Sequence, residues 1–166
     1  MNDSPLPKTA DLMDRWREAP SWLCCDTQFR RFGKRTRTAG PVRTVKVFED
    51  NALVKRVLSS PGTGQVLVID GGGSLRCALV GDVIAGLALA NGWAGVVVFG
   101  AVRDSAELDA LDFCIKALGT NPRVSGKTGA GEIDVAVSFG GADFRPDQWL
   151  YSDEDGIVLL PQRWDA

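Results

Sequence analysis

The chain contains no histidine among its 166 residues. That absence excludes Ser-His-Asp and Cys-His catalysis, histidine-ligated zinc and imidazole proton shuttles. Any acid–base chemistry falls to carboxylates, lysine, tyrosine or metal-bound water. Cysteine is sparse: Cys24 and Cys25 adjoin, Cys77 and Cys114 stand alone, and there is no C-x-x-C pair. Reduced, mostly buried thiols are therefore expected, and the spacing offers no structural zinc site. Long apolar runs are missing as well; the longest such region, around Val80 to Leu89, is interrupted by Gly81 and Asp82, so no membrane span is expected. Met1 to Pro20 is polar where a signal peptide carries its apolar centre. A net charge of −2 gives no overall nucleic-acid signature. These absences predict a cytoplasmic protein.

What is present suits one globular domain over residues 1–166, with 1–20 a loosely packed N-terminal segment. Apolar residues make up 45% and charged residues 24%, enough for a proper core at this length. The N-terminal segment carries a short helix from Thr9 to Glu18, capped by Thr9 or Asp11. A basic loop, Arg30-Arg31-Phe32-Gly33-Lys34-Arg35-Thr36-Arg37, follows. Val42 to Phe48 alternates with period two, and a helix is expected from Asn51 to Leu58. Val66 to Ile69 is a fully apolar strand. A helix runs from Val83 to about Asn91 with Gly92 as its C-cap, and Gly95 to Phe99 forms a second buried strand. Ala106 to Phe113 reads as a short helix. Gly140-Gly141 turns a hairpin between Val135–Phe139 and Ala142–Phe144, and a last strand, Gly156 to Leu160, stops at Pro161. Strands alternating with helices predict an α/β domain with a mixed sheet.

Three motifs carry chemistry. Gly100-Ala101-Val102-Arg103-Asp104-Ser105-Ala106-Glu107 places a guanidinium and two carboxylates just beyond a buried strand. Arginine grips a carboxylate with two charge-assisted hydrogen bonds, and aspartate is a hard oxygen ligand of the kind Mg²⁺ or Mn²⁺ takes. An ordinary turn with solvated charges is the competing reading. Gly81-Asp82-Val83-Ile84 opens a helix: Asp82 either caps it, or the free N–H groups of 81–84 receive an anion. Asp70-Gly71-Gly72-Gly73 resembles a nucleotide-binding glycine turn, but Arg76 stands where G-x-G-x-x-G needs its third glycine, so a tight turn is expected. The basic loop reads as solvated or subunit-facing, and direct nucleic-acid binding is not expected.

Several separated stretches, in order, resemble the RraA-like family. They are Asp26-Thr27-Gln28-Phe29-Arg30, Phe48-Glu49-Asp50-Asn51, Val68 to Ser74, Gly81-Asp82, Gly100 to Asp104 and Ser152 to Gly156. That family includes regulators of ribonuclease activity and divalent-metal-dependent 4-hydroxy-4-methyl-2-oxoglutarate aldolases. The resemblance implies a swivelling β/β/α domain, assembled as a homotrimer or hexamer with clefts between subunits. It implies aldolase chemistry where Arg-Asp-x-x-Glu follows a glycine by some twenty residues. Here Gly81 and Arg103-Asp104-Ser105-Ala106-Glu107 fit, whereas regulators that have lost the aldolase lack the aspartate. By this resemblance Asp104 holds Mg²⁺ or Mn²⁺, Glu107 orients a metal-bound water, and Arg103 pairs with a 2-oxo acid substrate. The amides of Gly81, Asp82, Val83 and Ile84 take its other anionic oxygens. Oxaloacetate decarboxylation is the expected side activity. The competing implication is a non-catalytic regulator that binds ribonuclease E or an associated RNA helicase. A Schiff-base mechanism is disfavoured because no lysine lies in either motif; Lys116, the nearest, is expected to face solvent.

Overall fold

The computed structural model describes residues 5–165. It opens with helix α1 (Thr9–Met13) and a 3₁₀ turn (Trp16–Glu18), then strands β1 (Leu23–Cys25), β2 (Arg30–Phe32) and β3 (Thr38–Lys46). Helix α2 (Ala52–Leu58), strands β4 (Val66–Asp70) and β5 (Ala78–Val80), helix α3 (Asp82–Ala90) and strand β6 (Gly95–Val102) come next. Helix α4 (Ser105–Ala110) leads to β7 (Ile115–Thr120) and β8 (Glu132–Ile133). The chain finishes with β9 (Val137–Phe139), β10 (Ala142–Phe144), β11 (Trp149–Ser152) and β12 (Ile157–Leu160).

Strands β3, β4, β6 and β7 lie side by side and parallel. Their apolar runs are continuous because both faces are covered. Val66 and Val68 point into one core while Leu67 and Ile69 point into the other, and Val97 opposes Val96 and Val98 in the same way. On one face lie the helices, through Val54, Leu58, Ile84, Ala88 and Leu108. On the other lie the β9–β10 hairpin and strands β11 and β12, through Phe139, Phe144, Leu150, Ile157 and Leu159. Strand β3 joins the layers: Thr38–Pro41 pairs with β11, and Val42–Lys46 pairs with β4. The result is the expected three-layer β/β/α domain with a mixed sheet.

Some local expectations need correcting. Helix α1 stops at Met13, and its cap position is Lys8, with no side-chain hydrogen bond, rather than Thr9 or Asp11. Thr9 is instead buried, giving its N–H and hydroxyl to the Asp153 carboxylate at 2.7 Å each. Leu12 is buried beside it, whereas residues 14–18 are exposed. The basic stretch is not all loop, since Arg30–Phe32 pairs antiparallel with β7 at the sheet edge. The helix after the Arg103 motif spans only 105–110. Strands β1, β5, β7, β8 and β11 had no clear sequence signal, being short or broken by Lys116 and Gly119. The Gly140-Gly141 hairpin is as expected, both residues having positive φ (60° and 73°), as a tight two-residue turn requires.

Lys116 is the clearest reversal: it is 4% exposed and does not face solvent. Its ammonium donates to the carbonyls of Asp153 (2.7 Å) and Gly156 (3.2 Å). Burial lowers its pKa, partly offset by the neighbouring Cys114 and Asp153. Of the four thiols, Cys24 is exposed and Cys25, Cys77 and Cys114 are buried, all free. Burial pushes the Cys114 thiol up to about 11, so it is inert as a nucleophile near neutrality.

Candidate active site

Ligands of parallel α/β sheets gather beyond the carboxyl ends of the strands. Here Asn51 follows β3, Gly81 follows β5, Arg103 follows β6 and Asn121 follows β7. A cleft of about 220 Å³ opens at that edge. One wall is Gly81, Asp82, Val83 and Ile84 together with Arg103 and Asp104. The structure therefore brings together the two motifs that the sequence singled out.

Asp104 caps helix α4 in the left-handed region, at φ 56° and ψ 43°. Aspartate tolerates that region better than most residues, and such positions concentrate at functional sites. Asp104 Oδ2 accepts the Asp82 N–H at 3.2 Å and lies 3.7 Å from Arg103 Nε. The start of α3 thus stabilises the Asp104 charge, as helix N-termini do for anions. Asp82 Oδ1 accepts the Val83 N–H at 2.8 Å, which is the capping reading realised one residue along. Two of the four amides expected to meet substrate, those of Asp82 and Val83, are therefore occupied by carboxylates. The Ile84 N–H has no protein acceptor among the described residues.

Gly81 is required for space rather than for backbone freedom. Its φ of −125° is open to any residue. A Cβ there would sit 2.6 Å from Asp104 Oδ2 and 3.3 Å from Arg103 Cγ. Gly81→Ala should therefore displace both charged groups and lower kcat/KM by about 10²-fold, the scale of a displacement near 1 Å. Its melting temperature should stay within a few degrees of wild type, because neither group belongs to the core. Steady-state kinetics alongside a thermal melt check both halves.

The donor set suits one kind of metal. No group of three or more His, Cys, Asp or Glu converges among the described residues, so an all-protein cage is absent there. Mg²⁺ and Mn²⁺ sites need only one or two carboxylates, the rest being waters and substrate oxygens. Asp104 meets that need, since its Oδ1 makes no protein hydrogen bond among the described residues. Glu107 sits three residues on, exposed and with no hydrogen bond or ion pair there. It does not line the cleft.

The opposite wall was not anticipated. Asn51, Lys55, Val124, Ser125 and Lys127 form it. Buried Asn51 donates from Nδ2 to the Leu79 carbonyl (3.1 Å) and accepts from Lys127 Nζ through Oδ1. Its backbone N–H reaches the Gly126 carbonyl at 3.1 Å. Asp50 accepts from Thr128, Gly129 and Ala52. Burial alone would raise its pKa, but those hydrogen bonds outweigh it and leave the carboxyl below its ordinary value. Asp50 and Asn51 so clamp the 124–129 segment beside the cleft. The only sequence hint was that both fall within a stretch shared with the family.

Two other features are structural. The Gly71 and Gly73 amides donate to the Phe99 carbonyl and the Gly72 amide to Asp70 Oδ1, so this turn has no free amides to cradle a ligand. In the acidic stretch 153–155, Asp153 is committed to Thr9, and Glu154 pairs with Arg37 at 2.9 Å. The same pairing neutralises part of the basic run, as does Arg35 with Asp112 at 2.9 Å.

A family model described as Aldolase/RraA matches residues 9–159. The chain belongs to the RraA-like family. A solved structure described as the RNA-processing inhibitor RraA from Thermus thermophilis is 47% identical, with a TM-score of 0.92, covering 98% of this RraA-like chain and 97% of that one. Another, described as an S-adenosylmethionine:2-dimethylmenaquinone methyltransferase from Geobacillus kaustophilus, is 42% identical with a TM-score of 0.91, covering 95% and 96%. A Streptomyces coelicolor protein described as an unusual member of the RNase ES inhibitor RraA protein family is 27% identical, with a TM-score of 0.78 and coverage of 93% and 80%. RraA-like relatives thus bear names of different functional classes.

Proposed function

We propose that this RraA-like protein is a class II type, divalent-metal-dependent lyase. It cleaves 4-hydroxy-4-methyl-2-oxoglutarate by a retro-aldol reaction that releases pyruvate, and decarboxylates oxaloacetate as a side activity. The observation carrying this reading is Asp104, next to Arg103 in the cleft and fixed by the Asp82 amide. Mg²⁺ or Mn²⁺ held by Asp104 supplies the Lewis acidity that polarises a 2-oxo acid carbonyl. Arg103 binds the carboxylate of that end and faces the negative charge developing on the enolate oxygen as the C–C bond breaks. The Ile84 amide at the start of α3 offers a further donor to the same anion. Glu107 lies off the cleft wall, and only the family resemblance assigns it the orienting of a water. No step needs an imidazole.

The protein is further proposed to act in the cytoplasm as a homotrimer or hexamer. Among the described residues, no helix is long and apolar enough to cross a membrane. Val83 and Val124 on the cleft wall are 67% and 58% exposed, an apolar rim suited to a neighbouring subunit.

A regulator of ribonuclease E is the second reading, favoured by the 47% identity to a protein described as an RNA-processing inhibitor. It loses some support from the basic segment, because Arg35 and Arg37 are engaged by Asp112 and Glu154. Pyruvate release from the aldol and from oxaloacetate, with Mg²⁺ and with chelator, separates the readings. The enzyme reading expects metal-dependent turnover of both, abolished by chelator and restored by added Mg²⁺. Rates equal to the uncatalysed background in every condition, with inhibition of ribonuclease E by the same preparation, would establish the regulator instead.

A further inference from the structure

At the end of the domain opposite the cleft, a hollow of about 630 Å³ lies beyond the amino ends of the parallel strands, beside Ala39 and Gly64. Three of the chain's five tryptophans gather there, Trp22, Trp149 and Trp164 packing against buried Tyr151. Trp149 and Tyr151 line the hollow from β11. The chain after β12 adds Arg163 and Trp164, and the chain before α1 adds Pro5, Leu6 and Pro7. The retro-aldol reaction uses none of this surface.

The N-terminal contribution shows what the surface accommodates. Proline fixes φ at about −65°, and a residue preceding proline is pushed to extended backbone. Lys8, directly after Pro7, has φ −73° and ψ 142°, which are polyproline II values. Residues 5–8 therefore run as an extended Pro-x-Pro segment beside two tryptophans and a tyrosine, the pairing on which proline-rich recognition rests. A polyproline II backbone has no internal hydrogen bonds, so its carbonyls are free acceptors. Trp149 Nε1 is enclosed and has no acceptor among the described residues. The rim is cationic: Arg163 stacks on the Trp149 ring at 5.7 Å and Arg15 on the Trp164 ring at 5.0 Å. Both guanidiniums are exposed, and neither has an ion-pair partner among the described residues. A guanidinium stacked on a ring still offers its N–H edge to a carboxylate.

We propose that this hollow docks an extended, proline-rich peptide of a partner protein, with its prolines on Trp149 and Trp164 and an acidic side chain at Arg163. The site is separate from the cleft and does not depend on the aldolase reading.

The test is fluorescence anisotropy of a labelled synthetic peptide, Asp-Pro-Leu-Pro-Pro-Leu-Pro, titrated with the full chain. Saturable binding is expected, weakened about tenfold or more when alanines replace the prolines and the peptide loses its preorganisation. Trp164→Ala should weaken it about tenfold or more, the scale of an aromatic anchor. Arg163→Met should weaken it only about two- to fivefold, the range of an exposed ion pair. That smaller effect should vanish for a peptide with asparagine in place of aspartate. Thermal melts check that both variants fold; should Trp164→Ala fail to fold, Arg163→Met and the alanine peptide still decide. Absence of saturable binding by wild type, equal binding of the proline and alanine peptides, or a folded Trp164→Ala that binds as wild type does would overturn the site. Binding of oligouridylate instead of the peptide, or a self-association lost in Trp164→Ala, would also overturn it, assigning the surface to single-stranded nucleic acid or to a second copy.

Discussion

Asp104→Asn is expected to lower metal-dependent pyruvate release by about 10³-fold or more. A Lewis acid contributes several kcal/mol to stabilising developing charge, and each 1.36 kcal/mol is a factor of ten in rate. Asparagine retains a carbonyl oxygen able to accept the Asp82 N–H, so the start of α3 and the left-handed turn at 104 have no reason to rearrange. What is lost is the negative charge, and with it the hard anionic oxygen that a divalent cation needs. The melting temperature should therefore stay within a few degrees of wild type, since only one charge at the helix start is lost, and the loss should not be rescued by raising substrate. A useful control is Asp82→Asn, whose carboxylate caps its own helix through the Val83 N–H. Asparagine keeps an acceptor for the Val83 N–H, so that substitution should cost only the charge's interaction with the helix start, about 0.3–1 kcal/mol, with a much smaller kinetic effect. Comparable losses in the two variants, measured by steady-state kinetics, would mean that Asp104 acts only as a helix cap.

The largest expected effect on folding lies elsewhere, at Asp153. Asp153→Ala should destabilise the protein by about 3–5 kcal/mol, the range for removing one partner of a buried charged cluster. The carboxylate is 3% exposed and accepts from the Thr9 N–H and hydroxyl and from the Asp155 and Gly156 amides. Without it the Thr9 amide loses its acceptor, and Lys116 loses a counter-charge while remaining held by the carbonyls of Asp153 and Gly156. Helix α1 would come away from β12, its main contact. The pH dependence follows from the direction of the shift. Burial raises the Asp153 pKa, but its four donors together outweigh burial and leave it below the ordinary aspartate value. The stabilisation is then fully present above about pH 4 and is lost as pH falls through the lower, folded-state value. Urea unfolding at pH 7 and at pH 3 should show a large difference between wild type and Asp153→Ala at the higher pH and a smaller one at the lower. A difference independent of pH would contradict this origin.

The parts of the fold legible in sequence are those whose burial is decided locally. Val66 to Ile69 and Gly95 to Phe99 are apolar on both faces, and only a strand covered on both sides accommodates that. Gly140-Gly141 supplies two left-handed residues in a row, which a tight hairpin needs. Strand β7 escaped because Lys116 interrupts its apolar pattern. A lysine is expected at the surface unless the chain brings it carbonyls, and those come from residues 153 and 156, far along the sequence. The same logic divides the cleft. Gly81 stood out because it opens a helix, and Arg103-Asp104 because it follows a buried strand. Lys127 did not, because its place depends on Asn51, 76 residues earlier. The amide donors expected across 81–84 were overcounted, since nothing local indicates that Asp104 Oδ2 and Asp82 Oδ1 already occupy two of them.

The central claim is that Asp104 holds a divalent cation in a cleft built to receive a 2-oxo acid. It is tested most directly by titrating wild type and Asp104→Asn with Mn²⁺ in the presence of oxalate, followed through water-proton relaxation. Saturable binding of one Mn²⁺ per chain by wild type, lost in Asp104→Asn, is the predicted result; binding equal in both proteins, or absent from wild type, would contradict it.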